Sequence, residues 1–488
     1  MDILNKSISK AVDRPVKVLQ FGEGNFLRGF VDYMIDVANE KGVFDGSVVI
    51  VKPIEFGNLS MFHEQECQYT LSLRGKEDGQ TKEINRIITC VSDAVDTATE
   101  FEKYESFASC DTLRFVVSNT TEAGIVYDET DKFESMPPKT YPGKLTRFLF
   151  KRFEHFKGAA DKGLIIIPCE LIENNGINLK KCVLQLAELW KLGADFEKWV
   201  NEACTFCSTL VDRIVTGYPR DEVDAMCEKF GYKDNLVDTG ELFALWVIES
   251  DNPEVAKELP LPEAGLPVIF TNDQRPYRER KVRILNGAHT SFVLASYLAG
   301  NDFVRESMED ATVRKFMMTT VFDEIIPTLS LPKEECEAFA NAVIERFENP
   351  YIKHKLLDIS LNSVSKWKAR CKASLTGYVD KFGKLPKNLT FSIAALMAFY
   401  SSSELRDGVL VGRRNGAEYL IKDGADVLSF FAENSGKSSK EFAEAYLSNE
   451  KFFGEDMTKY TGLVDEVAAH LDAIKAKGMR AVLEDIVR

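Results

Sequence analysis

Short runs of β-branched and apolar residues, each followed by an amphipathic stretch, recur through the first half of the chain. Such runs alternating with helices are typical of a parallel sheet that is covered on both faces. A helix is predicted at 29–41, and strands are predicted at 16–21, 47–52, 113–118, 163–168 and, as a last strand, within 262–270. The first half is therefore predicted to be an α/β domain with a Rossmann-type, doubly wound sheet.

From Pro276 onward the pattern changes to helical periods. The clearest helices are predicted at 306–326, 333–346, 391–401 and 464–487. A chain of 488 residues is too long for one core of ordinary size. We therefore expect two domains, a Rossmann-type dinucleotide-binding domain at 1–275 and a mainly α-helical substrate domain at 276–488, joined through the turn-rich segment 272–277.

Charge and hydropathy limit the partners. A net charge of -15 would repel the phosphates of nucleic acid, whereas a small anionic ligand needs only local cations. The chain has no signal-peptide pattern and no apolar run of the roughly 20 residues that cross a bilayer, so a cytoplasmic protein with no membrane partner is expected. The ten cysteines follow no framework, and Cys204 and Cys207 lack the further ligands of a zinc site, so no metal is predicted. A monomer or a small homo-oligomer is expected.

The first predicted strand runs directly into a glycine-containing turn and then a helix. This is the setting in which a dinucleotide binds. Gly22 would permit a tight turn, Gly24 would let the backbone approach a pyrophosphate, and the helix start would offer free N–H groups. Leu27 stands where a third glycine is usual, so a purely structural turn is the alternative. The predicted cofactor-binding residues are Phe21, Gly22, Glu23, Gly24, Asn25, Phe26, Leu27 and Arg28.

Polar residues after two other strands are further cofactor candidates. After the second strand, Glu55 could accept a ribose hydroxyl and Lys52 could meet a 2′-phosphate, so the residues alone leave NAD and NADP open. After the strand at 113–118, Asn119, Thr121 and Glu122 are predicted to border the nicotinamide side. A plain turn built on Asn and Thr side chains is the alternative there.

An amine, an amide and an imidazole lie close together in the segment 281–289. At about 100° per residue on an α-helix, Asn286 lies about 140° and His289 about 80° around from Lys281. One broad face could present all three to a cleft, where they would move a proton on and off a hydroxyl and hold the resulting carbonyl oxygen. The structural alternative is a surface lysine, an asparagine of a first helical turn and a core histidine.

Taken together, four motifs identify a family. The set Gln20–Arg28, Thr121–Glu122, Val211–Ile214 and Lys281-x4-Asn286-x2-His289 resembles the polyol-specific long-chain dehydrogenases, the mannitol dehydrogenase family. The likeness runs from about residue 15 to the C-terminus. It implies an NAD-dependent, zinc-free oxidoreductase with a Rossmann-type N-terminal domain and a mainly helical C-terminal domain.

Three stretches narrow the resemblance within that family. The segments 206–222, 284–289 and 349–354 resemble those of an enzyme that interconverts the keto-hexonate tagaturonate and the aldonate altronate in hexuronate catabolism. Reduction of fructuronate and oxidation of mannitol are the alternatives within the family. A dinucleotide-binding regulator without turnover is the alternative of another class, and the joint presence of lysine, asparagine and histidine speaks against it.

The resemblance assigns catalytic roles to the motif. Lys281 would exchange the proton with a pKa below its ordinary value, Asn286 would hold the oxygen, and His289 would orient the substrate or the amine. The mannitol branch carries an asparagine where this chain has Leu171, so a second amide from this loop would come from Asn175 or Asn174, and Asn175 is the predicted catalytic residue. That branch also tends to carry a glutamate at the position of Arg278, whereas this chain has Glu279 one residue later, so the resemblance does not carry over a proton path through that glutamate.

A carboxylate substrate calls for a cation. Arginine matches two carboxylate oxygens with its planar fork, and lysine acts as a point charge. The predicted substrate-binding residues are Lys366, Arg213, Arg346 and His354. An internal ion pair with Asp212 or a backbone contact is the alternative for Arg213, and a surface position is the alternative for His354.

Overall fold

The computed structural model describes residues 1–121 and 123–488. The described chain forms two compact units, one of residues 1–74 and 82–274 and the other of residues 75–81 and 275–488. The sequence predicts a junction at 275, but nothing in its pattern assigns residues 75–81 to the second unit. Glu122, a predicted cofactor residue, lies outside the described residues.

The first unit is built on a six-stranded parallel sheet, which confirms the predicted Rossmann-type fold. Its strands follow the order β5-β2-β1-β6-β7-β8. Two strands begin later than predicted, at Phe115 and Ile165. The first eight strands of the chain are β1 Val16–Phe21, β2 Ser47–Lys52, β3 Tyr69–Glu77, β4 Gln80–Ile88, β5 Val91–Asp96, β6 Phe115–Ser118, β7 Ile165–Pro168 and β8 Thr205–Phe206.

Alternate residues of the sheet enter two separate cores. Val18, Ile50, Val117 and Ile167 belong to one buried cluster. Their chain neighbours Leu19, Val49, Val116 and Ile166 belong to the other. Because successive side chains of a strand point to opposite faces, both faces of the sheet are covered, as the continuous apolar runs predict.

The strand order reverses between β1 and β6. From β1 the chain adds β2 and β5 on one side and then returns to place β6 on the other. Phe21 and Ser118 are register partners at the ends of these strands, and the Asn119 N–H donates to the Phe21 carbonyl at 3.0 Å. Ligands of doubly wound sheets bind at the carboxyl ends of strands at such a reversal.

Two small sheets complete the strands of the first unit. They are built from β9 Ser208–Asp212, β10 Asp238–Glu241, β11 Leu245–Glu249 and β12 Val268–Thr271, in the orders β12-β11-β9 and β10-β3-β4. The end of β3 and the start of β4 belong to the second unit, where Lys76 pairs with Glu348 at 2.8 Å.

Helices surround these sheets. The α-helical segments of the first unit are Lys6–Ser9, Asn25–Leu27, Tyr33–Glu40, Ser60–Glu64, Phe101–Ser106, Tyr141–His155, Asn175–Leu189, Ala194–Glu202, Val223–Phe230 and Glu254–Glu258. A π-helical turn occupies Arg28–Asp32, and 3-10 turns occupy Phe107–Ser109, Ala160–Lys162 and Leu261–Ala264. The helix predicted at 29–41 thus starts earlier and contains a π-helical turn.

The second unit is mainly helical, as predicted. The predicted helix 306–326 is divided in two, because the Asp310 side chain accepts hydrogen bonds from the N–H groups of Thr312 and Val313 and so begins a new helix. The α-helices are Arg275–Arg280, Gly287–Ala299, Val304–Glu309, Ala311–Thr319, Lys333–Phe347, Leu356–Ile359, Ser363–Arg370, Lys372–Phe382, Lys387–Phe399, Ala425–Asn434, Ser439–Leu447, Glu450–Phe453 and Leu463–Val487.

Shorter elements of the second unit connect these helices. π-helical turns occupy Lys281–Asn286 and Thr320–Ile325, and 3-10 turns occupy Ile326–Thr328 and Met457–Lys459. An antiparallel sheet consists of β13 Leu405–Arg406, β14 Val409–Arg414 and β15 Ala417–Ile421. Across residues 1–121 and 123–488, no helix combines the length and the apolar character that a membrane span requires.

Candidate functional site

The glycine turn after β1 has the geometry that a dinucleotide requires. Gly22 has a φ of +129°, and a Cβ there would lie 3.1 Å from the Asn119 carbonyl oxygen. Only glycine adopts such a backbone readily. A Cβ on Gly24 would meet no atom of residues 1–121 and 123–488 within 4 Å, so these residues leave the space over Gly24 open. The residues of the turn therefore fit a pyrophosphate that approaches the backbone at a helix start.

A buried carboxyl group fastens this turn. Tyr69 donates its hydroxyl to Asp32 Oδ2 at 2.9 Å and to the Arg28 carbonyl at 3.0 Å. The Gln20 amide donates to the Gly22 carbonyl at 3.3 Å and to Asp32 Oδ2 at 3.4 Å. Burial raises the pKa of Asp32 to about 7. Sequence reasoning missed this network, because its members are brought together only by the π-helical turn and by β3.

Several predicted cofactor side chains pack the turn instead of facing open space. The Arg28 guanidinium is buried and donates to the Leu236 carbonyl at 2.8 Å and to Asn25 Oδ1 at 2.6 Å. The Phe26 ring stacks on Phe30 with centroids 5.0 Å apart, and Leu27 is buried. What this turn can offer a ligand is therefore mainly its backbone N–H groups.

The end of β2 carries a neutralised lysine. Lys52 Nζ lies 3.0 Å from Asp96 Oδ2 and donates to the Ile54 carbonyl at 2.6 Å, with 1% of the side chain exposed. Burial raises the pKa of Glu23 in the turn, and Lys52 partly offsets this effect. Glu55 is exposed. The edge of the crevice thus combines one paired cation with three acidic side chains.

The turn after β6 is held by a second buried carboxyl group. Glu170 accepts hydrogen bonds from Ser118 Oγ at 3.1 Å and from the N–H and Oγ1 of Thr120, both at 3.0 Å. The Asn119 amide donates to the Cys169 carbonyl at 2.7 Å. Thr121 follows with a φ of 144°, a strained conformation that is concentrated at functional sites.

The Asn175 amide is fully engaged in holding the backbone. Its nitrogen donates to the carbonyls of Pro168 and Glu170 at 3.1 Å, and its oxygen accepts from the Thr209 N–H at 2.8 Å. The residue is 1% exposed. The side chain joins the loop after β7 to β9, and this geometry gives no support to the predicted role of Asn175 in holding a reacting oxygen.

Arg213 likewise contributes to packing. Its Nε, Nη1 and Nη2 donate to the carbonyls of Phe243, Gly29 and Leu242 at 3.0, 2.8 and 3.1 Å. The guanidinium lies over the Tyr33 ring at 4.8 Å. The predicted substrate contact is therefore replaced by a structural role, because the fork that would meet a carboxylate is occupied by backbone carbonyls.

In the second unit, a π-helical turn lies at the predicted catalytic segment. It spans Lys281–Asn286 between two α-helical segments, and the Gly287 N–H donates to the Val282 carbonyl. Hydrogen bonds of a π-helix join residues five apart, so Lys281 and Asn286 lie closer to one face than the separation of about 140° on an α-helix would place them. Both residues are half-buried, and the Asn286 side chain does not cap the helix that follows.

His289 is a neutral, enclosed imidazole. Its ring stacks on Phe347 with centroids 4.2 Å apart and lies 5.4 Å from the His354 ring. Its Nε2 atom is buried without a hydrogen-bond partner among the described residues. Burial lowers the pKa of His289 well below the ordinary value, and His354, Arg370, Arg346 and Lys366 lower it further. The imidazole is therefore suited to orienting a ligand.

Cations converge on this histidine. Lys366 and Arg346 are predicted substrate residues, and both lower the pKa of His289. The ring of His354, the third predicted substrate residue in this part of the chain, lies 5.4 Å from that of His289. Arg370 was missed by sequence reasoning; its Nη1 donates to Thr290 Oγ1 at 3.3 Å. The only signal for it in the sequence is its spacing of four residues from Lys366. In the described parts of the chain, no group of three or more His, Cys, Asp or Glu side chains is arranged to hold a metal ion.

Comparison with known families covers nearly the whole chain. Residues 16–262 match the model of the mannitol dehydrogenase Rossmann domain, and residues 273–475 match that of the mannitol dehydrogenase C-terminal domain. Altronate oxidoreductase of Enterobacter sp. (strain 638) is 45% identical over 493 residues and is covered, like this chain, over 100% of its length. Altronate oxidoreductase of Bacteroides thetaiotaomicron is 42% identical over 488 residues, again with 100% of both chains covered.

Solved structures show the same fold. A substrate-free D-sorbitol dehydrogenase matches with a TM-score of 0.78 at 20% identity, over 99% of this chain and 100% of that one. Mannitol 2-dehydrogenase of Pseudomonas fluorescens, solved as a ternary complex with NAD and D-mannitol, matches with a TM-score of 0.65 at 20% identity, over 100% of this chain and 99% of that one.

Proposed function

This chain belongs to the mannitol dehydrogenase family, and on that premise we propose that it interconverts tagaturonate and altronate with NAD(H). It is a polyol or sugar-acid dehydrogenase that uses a nicotinamide cofactor. The full-length relation to altronate oxidoreductases supports this particular pair of substrates.

The observation that carries the proposal is the positive surroundings of a neutral histidine in the predicted catalytic segment. Lys366, Arg346 and Arg370 all act on His289, which lies in the helix that begins directly after Asn286. Cations collected in a chain of net charge -15 favour an anionic ligand. A sugar acid fits this environment better than a neutral polyol.

The crevice residues support NAD over NADP. A bound nicotinamide exchanges a hydride with the substrate carbon. Gly22 and Gly24 leave room for a pyrophosphate at a helix start. A 2′-phosphate needs a cation at the end of β2, but Lys52 is already paired with Asp96. Glu23 adds a further acidic group there, so a ribose hydroxyl is the better fit.

In the proposed reaction, residues of the π-helical turn transfer the proton to and from the substrate oxygen. Lys281 donates the proton to the substrate oxygen during reduction and accepts it during oxidation. Asn286, one turn along the same face, donates an amide hydrogen bond to that oxygen as its negative charge grows. His289 remains neutral and offers its unpartnered Nε2 atom to a substrate hydroxyl.

Initial rates of NADH oxidation with tagaturonate, fructuronate and fructose, measured side by side, test this function. We expect the highest kcat/KM with tagaturonate, and NAD⁺ reduction with altronate in the reverse direction. Preferred turnover of fructuronate or fructose would instead support one of the other activities of the family. Cofactor binding without turnover of any of the three ketones would support a regulator.

A further inference from the structure

One face of the helix Ser363–Arg370 carries two cations that the fold itself does not explain. Lys366 and Arg370 are four residues apart, and both are half-buried. Like charges at this spacing repel each other and destabilise a helix. Burial lowers the pKa of both groups, and Arg370 lowers that of Lys366 further. An anion bound between them would offset both the mutual repulsion of the two cations and the cost of burying their charges.

The acidic group that acts on this pair, Asp423, raises the pKa of Lys366 by less than burial and Arg370 lower it. Within residues 1–121 and 123–488, no carboxylate lies within 4.0 Å of Lys366 or Arg370, although the chain has 76 acidic and 61 basic residues. Lys366 Nζ donates to the Ile359 carbonyl at 2.9 Å. Arg370 donates to Thr290 at 3.3 Å, which leaves most of its five N–H donors available. By contrast, Lys372, just beyond the helix, pairs with Glu455 at 2.8 Å.

Close backbone packing holds Arg370 beside the predicted catalytic helix. A Cβ on Gly287 would lie 3.2 Å from the Arg370 carbonyl oxygen, and Cys371 Sγ donates to the Gly287 carbonyl at 3.6 Å. The partner of the Arg370 guanidinium, Thr290, follows Asn286 by four residues, which is about 6 Å along a helix. In tagaturonate, three carbons separate the keto carbon from the carboxylate, so the two functional groups need contacts at a comparable separation.

We propose that Arg370 binds the substrate carboxylate and thereby makes the protein selective for sugar acids over neutral ketoses. This assignment rests on the proposed function. The guanidinium fork meets two carboxylate oxygens, Lys366 adds a point charge from the same helix face, and Thr290 fixes the direction of the fork. Arg370 takes no part in proton transfer, so its contribution is to substrate binding.

The matched substrates for the test are tagaturonate and tagatose, which differ only in a carboxylate against a hydroxymethyl group. We expect Arg370→Met to lower kcat/KM for tagaturonate by about 100-fold, mainly through KM, as the loss of a charged hydrogen-bonded pair predicts. The rate with tagatose should change much less, and Arg370→Lys should recover part of the loss. Lys368→Met is the control, because this lysine of the same helix is exposed and donates to the Lys451 carbonyl.

Each result decides between the alternatives. Equal losses on both substrates, or no loss on tagaturonate, would overturn the role of Arg370 and leave the proposed function standing. A wild-type protein that reduces no uronate would overturn both. If Arg370→Met does not fold, the wild-type protein still provides a test, because a carboxylate site requires a KM for tagaturonate at least about tenfold below that for tagatose, and equal KM values would contradict it.

Discussion

Replacing Asp32 by asparagine should stabilise the protein by an amount that grows as the pH rises above about 4 and is greatest above about pH 7. Asp32 is completely buried, and its pKa is raised from 3.8 to about 7, first of all by burial. Asparagine resembles the protonated acid, because its oxygen can accept the hydrogen bonds from Tyr69 and Gln20 that Oδ2 accepts now. The variant therefore removes the cost of a buried charge without removing the contacts.

The sign and size of the effect follow from linkage. The folded protein holds the Asp32 proton more tightly than the unfolded chain does. Asp32 therefore contributes its full stability below about pH 3.8, and this contribution is lost as the pH rises through about 7. A pKa displaced from 3.8 to about 7 corresponds to about 4 kcal/mol at ~1.36 kcal/mol per pH unit. Asp32→Asn should gain up to that amount above neutral pH and almost nothing near pH 4.

Urea unfolding at several pH values measures this difference. Asp36→Asn is the matched control one helical turn later, because Asp36 pairs with Arg86 at 2.6 Å and is 3% exposed. Breaking a buried pair costs about 3–5 kcal/mol, so this control should destabilise the protein under conditions in which Asp32→Asn stabilises it. If Asp32→Asn destabilises the protein equally at acidic and alkaline pH, the proposed protonation of Asp32 is wrong.

Four further substitutions test the site. Lys281→Ala should lower kcat by about 10²–10⁴-fold without weakening NADH binding, as loss of a general acid predicts, and unchanged initial rates would remove the proton-transfer role. Gly22→Ala should destabilise the protein because residue 22 has a positive φ. Gly24→Ala should leave stability unchanged and weaken NADH binding, because its Cβ would enter the open space over the turn. Melting temperatures and titrations with NADH distinguish the two effects. Asp96→Asn should leave Lys52 buried without its acidic partner and lower the free energy of unfolding by about 3–5 kcal/mol. Because Lys52 would then be available to a 2′-phosphate, the KM for NADPH should fall relative to that for NADH. An unchanged ratio of the two KM values in initial-rate assays would refute the proposed basis of cofactor choice.

The parallel sheet of the first unit could be predicted from the sequence, because strands that are buried on both faces consist of continuous apolar runs. Four of the predicted strands correspond to β1, β2, β6 and β7. The hairpin of β3 and β4 was not predicted, because most of β4 is exposed or half-buried and its residues are mainly polar. Its division between two units depends on contacts such as that of Lys76 with Glu348, 272 residues away.

The candidate site shows a similar limit. Lys281, Asn286 and His289 are recognisable as a motif. Their relative directions, however, depend on a π-helical turn, which no periodic pattern of apolar residues in the sequence predicts. Arg370 is 80 residues from Thr290, so only the fold brings them together. Arg213 and Asn175 were predicted to bind ligands because of their side-chain chemistry. In the structure both are buried and donate hydrogen bonds to backbone carbonyls, so they hold the backbone instead.

Identification of the product is the decisive test of the proposed interconversion of tagaturonate and altronate. The purified protein is incubated with NADH and tagaturonate until the NADH absorbance stops falling, and the product is identified by nuclear magnetic resonance. We expect altronate in an amount equal to the NADH consumed. Unchanged NADH, or a product other than altronate, would contradict it.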